Sequence, residues 1–447
     1  MQIIWRDNAD AQVYETARLD NVFNKHSPNR FPLAIVKVTS ENDVIAAVQL
    51  AIQHKCQVSV RAGGHSFPVW SVQDDSILVD MGDWKQVKID PEKSAATVTP
   101  SVTSKELNDR LALHGLMFPG GHCGDVGLGG FLLQGGMGWN CGNWGWGCEF
   151  VEAVDVVTAQ GQLVHCSAQQ NEDLFWASRG AGPAFPGLIT QFHVRLIPLP
   201  LEIHSSMYIY PQNLYYEAFN WALALAPTLD GDTEITAKAK CDEGKPVFAI
   251  YFTSMKDTEA DARAALQHVQ NSRPAGALTE SFCYKDSLGK LYEVMSTLHP
   301  KNHRYLSDNV YLKNDADVPG LLEKACFTLP HQKSYLFWTS MRPWSRKKLP
   351  EMALSMRSDH YFAVYLIWEK EEDDRRCREW LQQVMKKVEV ESVGSYIGDS
   401  DFELRLTEYW TVDNAQRLTK IRDERDPDGR INGGFPAASK RSVSRQG

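Results

Sequence analysis

The sequence predicts an α+β protein of two lobes, and three observations carry that prediction. Short β-branched runs are interleaved with amphipathic helical stretches through the first 200 residues; no Gly-x-Gly-x-x-Gly follows a first strand and opens a helix; and the style of the chain changes around Pro198-Leu-Pro200. Without that glycine turn a doubly wound nicotinamide-dinucleotide fold is not supported, because its pyrophosphate rests on the turn. A chain of 447 residues that is 43% hydrophobic and 23% charged can bury at least two cores.

Taken in order, Leu33-Ala-Ile-Val-Lys-Val38 reads as a strand. Ser40-Glu-Asn-Asp43 resembles a capping box, opening a helix whose apolar stripe is Val44, Ala47, Val48 and Ala51. Lys55 to Arg61 returns as a strand, Ile77–Asp80, Val87–Asp90 and Ala96–Thr99 read as further short strands, and a helix from about Ser104 ends at Gly115. Beyond residue 200 the strand candidates are Ser206–Tyr210, Val247–Thr253 and Tyr361–Trp368, alternating with helices that include the amphipathic stretch Asp373–Val390. The expected boundaries are 1–200, completed by 401–447, for the first lobe and 201–400 for the second.

Glycine is concentrated in one place. Thirteen of the thirty-one glycines fall between Gly115 and Gly147, arranged around a single cysteine as Pro119-Gly-Gly-His-Cys-Gly-Asp-Val-Gly-Leu-Gly-Gly130. Backbone without Cβ atoms can bring its N–H groups against a ligand, above all a phosphate, although a chain of tight turns has the same composition. A second glycine site, Val58-Ser-Val-Arg-Ala-Gly-Gly-His-Ser-Phe67, is a short strand feeding a tight loop that carries a histidine.

These two motifs resemble the FAD-linked oxidases of the vanillyl-alcohol-oxidase superfamily, and within it the berberine-bridge-enzyme-like group. The likeness continues through Gln134-Gly-Gly-Met-Gly-Trp139, Trp144-Gly-Trp-Gly-Cys-Glu149 and Asn171-Glu-Asp-Leu-Phe-Trp-Ala-Ser-Arg-Gly180, and returns at Tyr409-Trp410, Asn414-Ala-Gln-Arg-Leu418 and Asp426-Pro-Asp-Gly429. It implies a two-subdomain PCMH-type FAD-binding domain, completed by the C-terminal residues, and a substrate domain with an antiparallel sheet backed by helices. It also implies FAD attached twice, with His65 on the flavin 8α-methyl carbon and Cys123 on flavin C6. The cofactor cradle is then Arg61, Ala62, Gly63, Gly64 and Ser66 around the histidine, Gly121, Val126, Gly127 and Gly130 around the cysteine, Gly135, Gly136 and Gly138 beyond it, and Ile189 and Asn414 further along.

A flavin takes a hydride and passes the electrons on, so the protein must position substrate and manage a proton. Cysteine attacks only as thiolate, and a loop rich in backbone N–H groups is expected to lower the Cys123 pKa. By the same resemblance Val126 occupies a position where valine accompanies oxidases, which implies reoxidation by O₂ with release of hydrogen peroxide. Phe131 stands where relatives often carry a histidine that bonds the N1–C2=O edge, and phenylalanine cannot donate that bond. In Ser395-Tyr-Ile-Gly-Asp-Ser-Asp401, Asp399 matches the acidic position of relatives and could accept the substrate proton if burial raised its pKa. A turn aspartate is the structural alternative. Tyr396 and Tyr409 are the next catalytic candidates, and Trp139, Trp144 and Trp146 are wall or core.

A net charge of −9 argues against nonspecific binding to nucleic acid or anionic membrane. Nine scattered cysteines contain no close pair of the kind a structural zinc site favours, and Cys141, Cys148 and His122 fit no common ligand set, so no metal is expected. No apolar stretch reaches membrane-spanning length and Met1–Asp10 lacks a secretory pattern, so the expected setting is cytoplasmic, as monomer or homodimer, unless the N-terminus is trimmed. The leading functional reading is an FAD oxidase of a small organic substrate, with a secondary metabolite favoured. A carbohydrate or alcohol oxidase and a flavin-scaffolded cyclase or isomerase without net oxidation are the alternatives.

Overall fold

The structure, a computed structural model, describes residues 1–433. Strands β1 (Gln2–Trp5), β2 (Ala34–Lys37), β3 (Val58–Arg61) and β4 (Ile77–Asp80) form a sheet in the order β1-β2-β4-β3, with β2, β4 and β3 parallel. All four residues of β4 are buried because both faces are covered. Val79 packs with Val44, Val48 and Ala51 of the helix Glu41–His54, and Leu78 packs on the other side with Tyr14 and Ala17 of the helix Ala11–Leu19. Parallel sheets need such two-sided cover, and uninterrupted apolar runs are the result.

The expected stripe of the helix Glu41–His54 is its buried face. Its N-cap Ser40 accepts from the Asp43 N–H, but the Asp43 carboxylate turns to the Thr39 N–H at 3.0 Å, so the box does not close. The expected strand start at Lys55 is corrected to Val58: Lys55 caps the helix in the left-handed region at φ 53°. The next helix, Ser104–Leu111, opens on a true capping box between Thr103 and Glu106 and runs through a 3₁₀ turn to Gly115 at φ 66°.

Strands β5 (Val87–Asp90), β6 (Ala95–Val98), β8 (Val151–Thr158), β9 (Leu163–Ser167) and β10 (Gly187–Arg195) make an antiparallel sheet in the order β5-β6-β10-β8-β9, while β7 (Leu116–Met117) pairs with β11 (Ile197–Pro198). Residues beyond 200 then build one eight-stranded antiparallel sheet from β12 (Glu202–Pro211), β13 (Thr233–Asp242), β14 (Lys245–Lys256), β15 (Thr279–Asp286), β16 (Arg304–Leu312), β17 (Tyr335–Ser340), β18 (His360–Trp368) and β19 (Ser392–Gly394). Its order is β15-β12-β14-β13-β17-β18-β16-β19. The helices Tyr215–Leu225, Glu259–Ser272, Val318–Cys326 and Asp374–Val388 cover one face through Phe219, Leu266, Leu322 and Leu381, which share a core with Ala237, Ile250 and Phe362. The opposite face is left for the site.

The chain comes back to the first lobe at its far end. Leu418 and Ile421 of the helix Val412–Arg425 share a core with Phe175 and Trp176, and Ile431 bridges to Val58 at the start of β3. The remainder of the expected return, residues 434–447, lies outside the described residues.

Candidate active site

A cavity of about 640 Å³ lies between the glycine loops of the first lobe and the uncovered face of the eight-stranded sheet. Strand alternation supplies the sheet side: Glu234, Thr236, Lys238 and Lys240 of β13, Tyr251 and Thr253 of β14, Tyr335 and Phe337 of β17, and Tyr365 of β18. Leu291, Val294, Met295 and Leu298 of the helix Leu288–Leu298 add an apolar flank.

The glycines permit the opposite wall. Gly64 has φ +72°, and a Cβ there would lie 1.9 Å from the Asn21 carbonyl oxygen. Gly63 and Gly127 hold the two loops together so closely that a Cβ on Gly63 would stand 2.7 Å from the Gly127 nitrogen. Gly130 also lines the cavity, yet a Cβ there would meet no protein atom within 4 Å. Its bare backbone therefore faces the space a ligand would fill.

His65 and Cys123 both line this cavity, with Ala62, Gly63, Gly64, Ser66, Gly121, Val126, Gly127, Gly130 and Ile189 around them. The His65 ring stacks on Phe23 with centroids 4.6 Å apart, its Nε2 lies 3.7 Å from Asp125 Oδ2, and burial pushes its pKa down. The Cys123 Sγ lies 3.4 Å from His299 Nδ1, and His299 Nε2 lies 2.8 Å from the Tyr335 hydroxyl. The expected lowering of the thiol pKa is corrected: burial, reinforced by the charges of Asp125 and Asp399, pushes it well up, and Lys238 opposes them only partly.

Asp399 lines the cavity from the short 3₁₀ turn Ile397–Asp399. Burial raises its pKa, against the hydrogen bonds donated by Tyr361, at 2.7 Å, and by Tyr365. Tyr396 also lines the cavity, and its hydroxyl accepts from the Gly136 N–H at 3.1 Å. Lys238 is the basic counterpart. Burial brings its pKa down to about 8, no carboxylate pairs with it among the described residues, and its ammonium lies 5.1 Å from the centre of the Tyr251 ring.

Several expected members lie elsewhere. Arg61 reaches the cavity edge, but its guanidinium is 0% exposed and committed to Asp80 at 2.8 Å and to the carbonyls of Ala17 and Arg18. Its side chain fixes the end of β3, which leaves only its backbone at the cavity edge. Asn414 does not line the cavity; its amide donates to the Met352 and Ala353 carbonyls. Tyr409 is buried in the core of the first lobe with Phe402 and Trp410. Gly135, Gly136 and Gly138 stand behind the wall, against Trp146, Phe131 and the Pro119 carbonyl respectively. Of the three tryptophans only Trp139 reaches the cavity, while Trp146 packs on Trp344 and Tyr396.

Phe131 also lines the cavity, its ring against Gly121, Gly136 and Gly147. Cys141 and Cys148 face the sulfurs of Met341 and Met352, and His122 bonds Glu234 at 3.0 Å, so the three form no common site. Asp155, His165 and His193 do have the spacing of a metal-ligand set, but none lines the cavity and the Asp155 carboxylate already bonds both imidazoles, at 2.7 and 2.8 Å.

The sequence reading missed Lys238, His299, Tyr335, Tyr361 and Tyr365. A signal existed for Lys238, because Glu234, Thr236, Lys238 and Lys240 alternate with apolar Ile235, Ala237 and Ala239. That pattern ordinarily means a face open to water.

Fold and site together define a PCMH-type flavoprotein: FAD suits a cavity of this size, lined by bare glycine backbone on one wall and by an imidazole and a thiol beside it. Residues 32–167 match the model of an FAD binding domain. The FAD-linked oxidoreductase janO of Penicillium janthinellum is 38% identical over 97% of both chains, and penO of Penicillium crustosum is 36% identical over 96% of this chain and 95% of its own. The structure of Physcomitrella patens BBE-like 1 superposes with a TM-score of 0.83 at 19% identity, covering 97% of this chain and 96% of that one. The chain belongs to the FAD-linked oxidoreductases, is an enzyme, and has the fold of the berberine-bridge-enzyme-like proteins.

Proposed function

We propose that the protein is an oxidase that carries FAD bicovalently through His65 and Cys123, oxidises a small organic substrate and releases hydrogen peroxide. When bound, the flavin supplies the acceptor for a substrate hydride and hands the electrons to O₂. Residues 1–200 with 401–433 hold it, and 201–400 hold the substrate. The observation that carries the reading is the pairing, in one cavity, of His65 and Cys123 on the glycine wall with the half-buried Asp399 carboxylate.

The residues divide the remaining work. Asp399, with its pKa raised by burial, accepts the substrate proton, and Tyr361 and Tyr365 orient the carboxylate and stabilise it as the anion. Lys238 holds an electronegative group of the substrate, since among the described residues it is a cation without a carboxylate partner. Leu291, Val294, Met295, Leu298 and Phe337 exclude water and favour an apolar or aromatic molecule over a saccharide, which needs many fixed donors and acceptors. A secondary metabolite fits that wall. Apart from Cys123, the other eight cysteines are in no disulfide, which suits a reducing, intracellular setting.

The test is the mass of the acid-denatured protein, with His65→Ala and Cys123→Ala, followed by oxygen uptake over a panel of apolar phenols, prenylated aromatics and sugars. One FAD mass retained by each single variant and lost from the double is expected. A colourless chain that cannot be reconstituted would overturn the attachment, and turnover without oxygen uptake would favour the cyclase.

A further inference from the structure

Burial leaves Cys123 a neutral thiol, a poor nucleophile, and the residue that corrects this is in contact with it. We propose that His299 is the base that takes the Cys123 proton as the flavin is attached there, so that the folded protein forms its own thioether. The inference rests on Cys123 being an attachment point.

Three features fit His299 to that task. Its Nδ1 is 3.4 Å from Sγ, and burial brings its pKa down to about 4, which keeps the imidazole neutral at pH 7 while making it a weaker base, so the proton's acceptance depends on the contacts around the ring. The ring is held from the far side by the Tyr335 hydroxyl at 2.8 Å and lies edge to face with Tyr335 and Tyr365, at 76° and 90°. In the tautomer protonated at Nε2, the N–H donates to Tyr335 and Nδ1 is free to accept. Once Nδ1 carries the proton, the Met295 carbonyl 3.2 Å away accepts from it, and His299 sits at the C-terminus of the helix Leu288–Leu298, where the helix dipole favours a cation.

The surrounding charges divide. Lys238 stabilises the thiolate but opposes the imidazolium; Asp125 and Asp399 oppose the thiolate, while Asp125 favours the imidazolium and His65 opposes it. Among the described residues it is His299, and neither carboxylate, that hydrogen-bonds Sγ, so His299 is the acceptor in place. Because burial disfavours both charged forms, the proton moves as the carbon–sulfur bond forms. The S–H and one ring C–H bond break, an S–C bond forms, and the electron pair passes through the ring to O₂. Thiol, oxidised flavin and O₂ become the oxidised thioether-linked flavin and one H₂O₂.

The experiment uses the full chain as apoprotein in the His65→Ala background, where only the cysteine linkage can form. FAD is added in air, attachment is followed by intact mass and by flavin fluorescence in denaturing gels, and prior noncovalent binding is read from fluorescence quenching. His65→Ala is expected to attach one FAD and release one H₂O₂. Adding His299→Asn or His299→Gln is expected to leave binding intact, slow attachment about 100-fold at pH 7, and let the rate recover as pH rises. Tyr335→Phe is expected to slow it less. An unchanged rate in both His299 variants overturns the proposal, as does loss of FAD binding in both, which would make the residue structural. A His65→Ala protein that binds FAD and never links it overturns the attachment reading itself.

Discussion

The hydroxyl of Tyr361 donates to Oδ2 of Asp399 at 2.7 Å, joining a buried phenol to the carboxylate at the cavity. The bond stabilises the charged form, against the burial that raises the pKa. Asp399→Asn is therefore expected to slow anaerobic reduction of the flavin by substrate about 10² to 10⁴-fold and to abolish the acid limb of its pH profile. Tyr361→Phe removes a stabiliser of the anion, so the same limb should move to higher pH. Rapid-mixing absorbance at the flavin band checks both.

Lys238 sets the other side of the profile. With its pKa brought down to about 8 by burial, it is a cation at pH 7 and loses its proton as pH rises past 8. The expected outcome is a kcat/KM that falls above pH 8 in the wild type and is flat there in Lys238→Met. An alkaline limb that persists in the variant would assign it to another group.

Two glycines of the same wall should respond in opposite ways. At Gly64 a Cβ would collide with the Asn21 carbonyl at 1.9 Å in a conformation with φ +72°, so Gly64→Ala should lower the Tm and reduce soluble yield. At Gly130 a Cβ meets no protein atom within 4 Å. Gly130→Val should leave the apoprotein Tm within a few degrees of wild type while FAD no longer binds, as thermal melts with and without the cofactor would show.

Asp359 links stability to pH away from the site. Burial acts to raise its pKa, but hydrogen bonds from Arg346, Ser345 and Arg342 outweigh it and bring the value down to about 2. A depressed carboxyl contributes stability above its unfolded pKa near 3.9, and the contribution is lost as pH falls towards 2. Because Arg342 and Arg346 are 41% and 51% exposed, Asp359→Asn should cost about 1–2 kcal/mol at pH 7. Denaturant melts should show that difference shrinking between pH 4 and 2.

What the sequence disclosed follows from the range of the forces involved. The strand Ile77–Asp80, the stripe Val44, Ala47, Val48 and Ala51, and the glycine loops at His65 and Cys123 are local patterns, and each stands where its residues predict. The sheet-side wall was not legible, because period-two alternation on β13 is the same whether the polar face meets water or an enclosed cavity. His299 comes from a helix end 176 residues beyond Cys123, and no local signal joins the two. Tyr409 and Asn414 carry motif identity but face the core and the 352–353 backbone, where they secure the closing helix. Arg61 shows the converse: a motif residue whose side chain serves the strand rather than the ligand.

The strand that delivers His65 has a neighbour from far downstream in the sequence. Val58 donates to the Arg430 carbonyl at 2.8 Å and accepts from the Asn432 N–H at 2.8 Å, while Arg430 reaches the Cys56 carbonyl across 374 residues. The outer edge of β3 is therefore satisfied by residues more than 370 positions away, so the strand leading to the histidine loop depends on a distant segment for its second neighbour. Flavin loading is thereby tied to the far end of the described chain: a protein cut short before residue 430 is expected to leave that edge open and to take up FAD poorly, although its substrate lobe is complete.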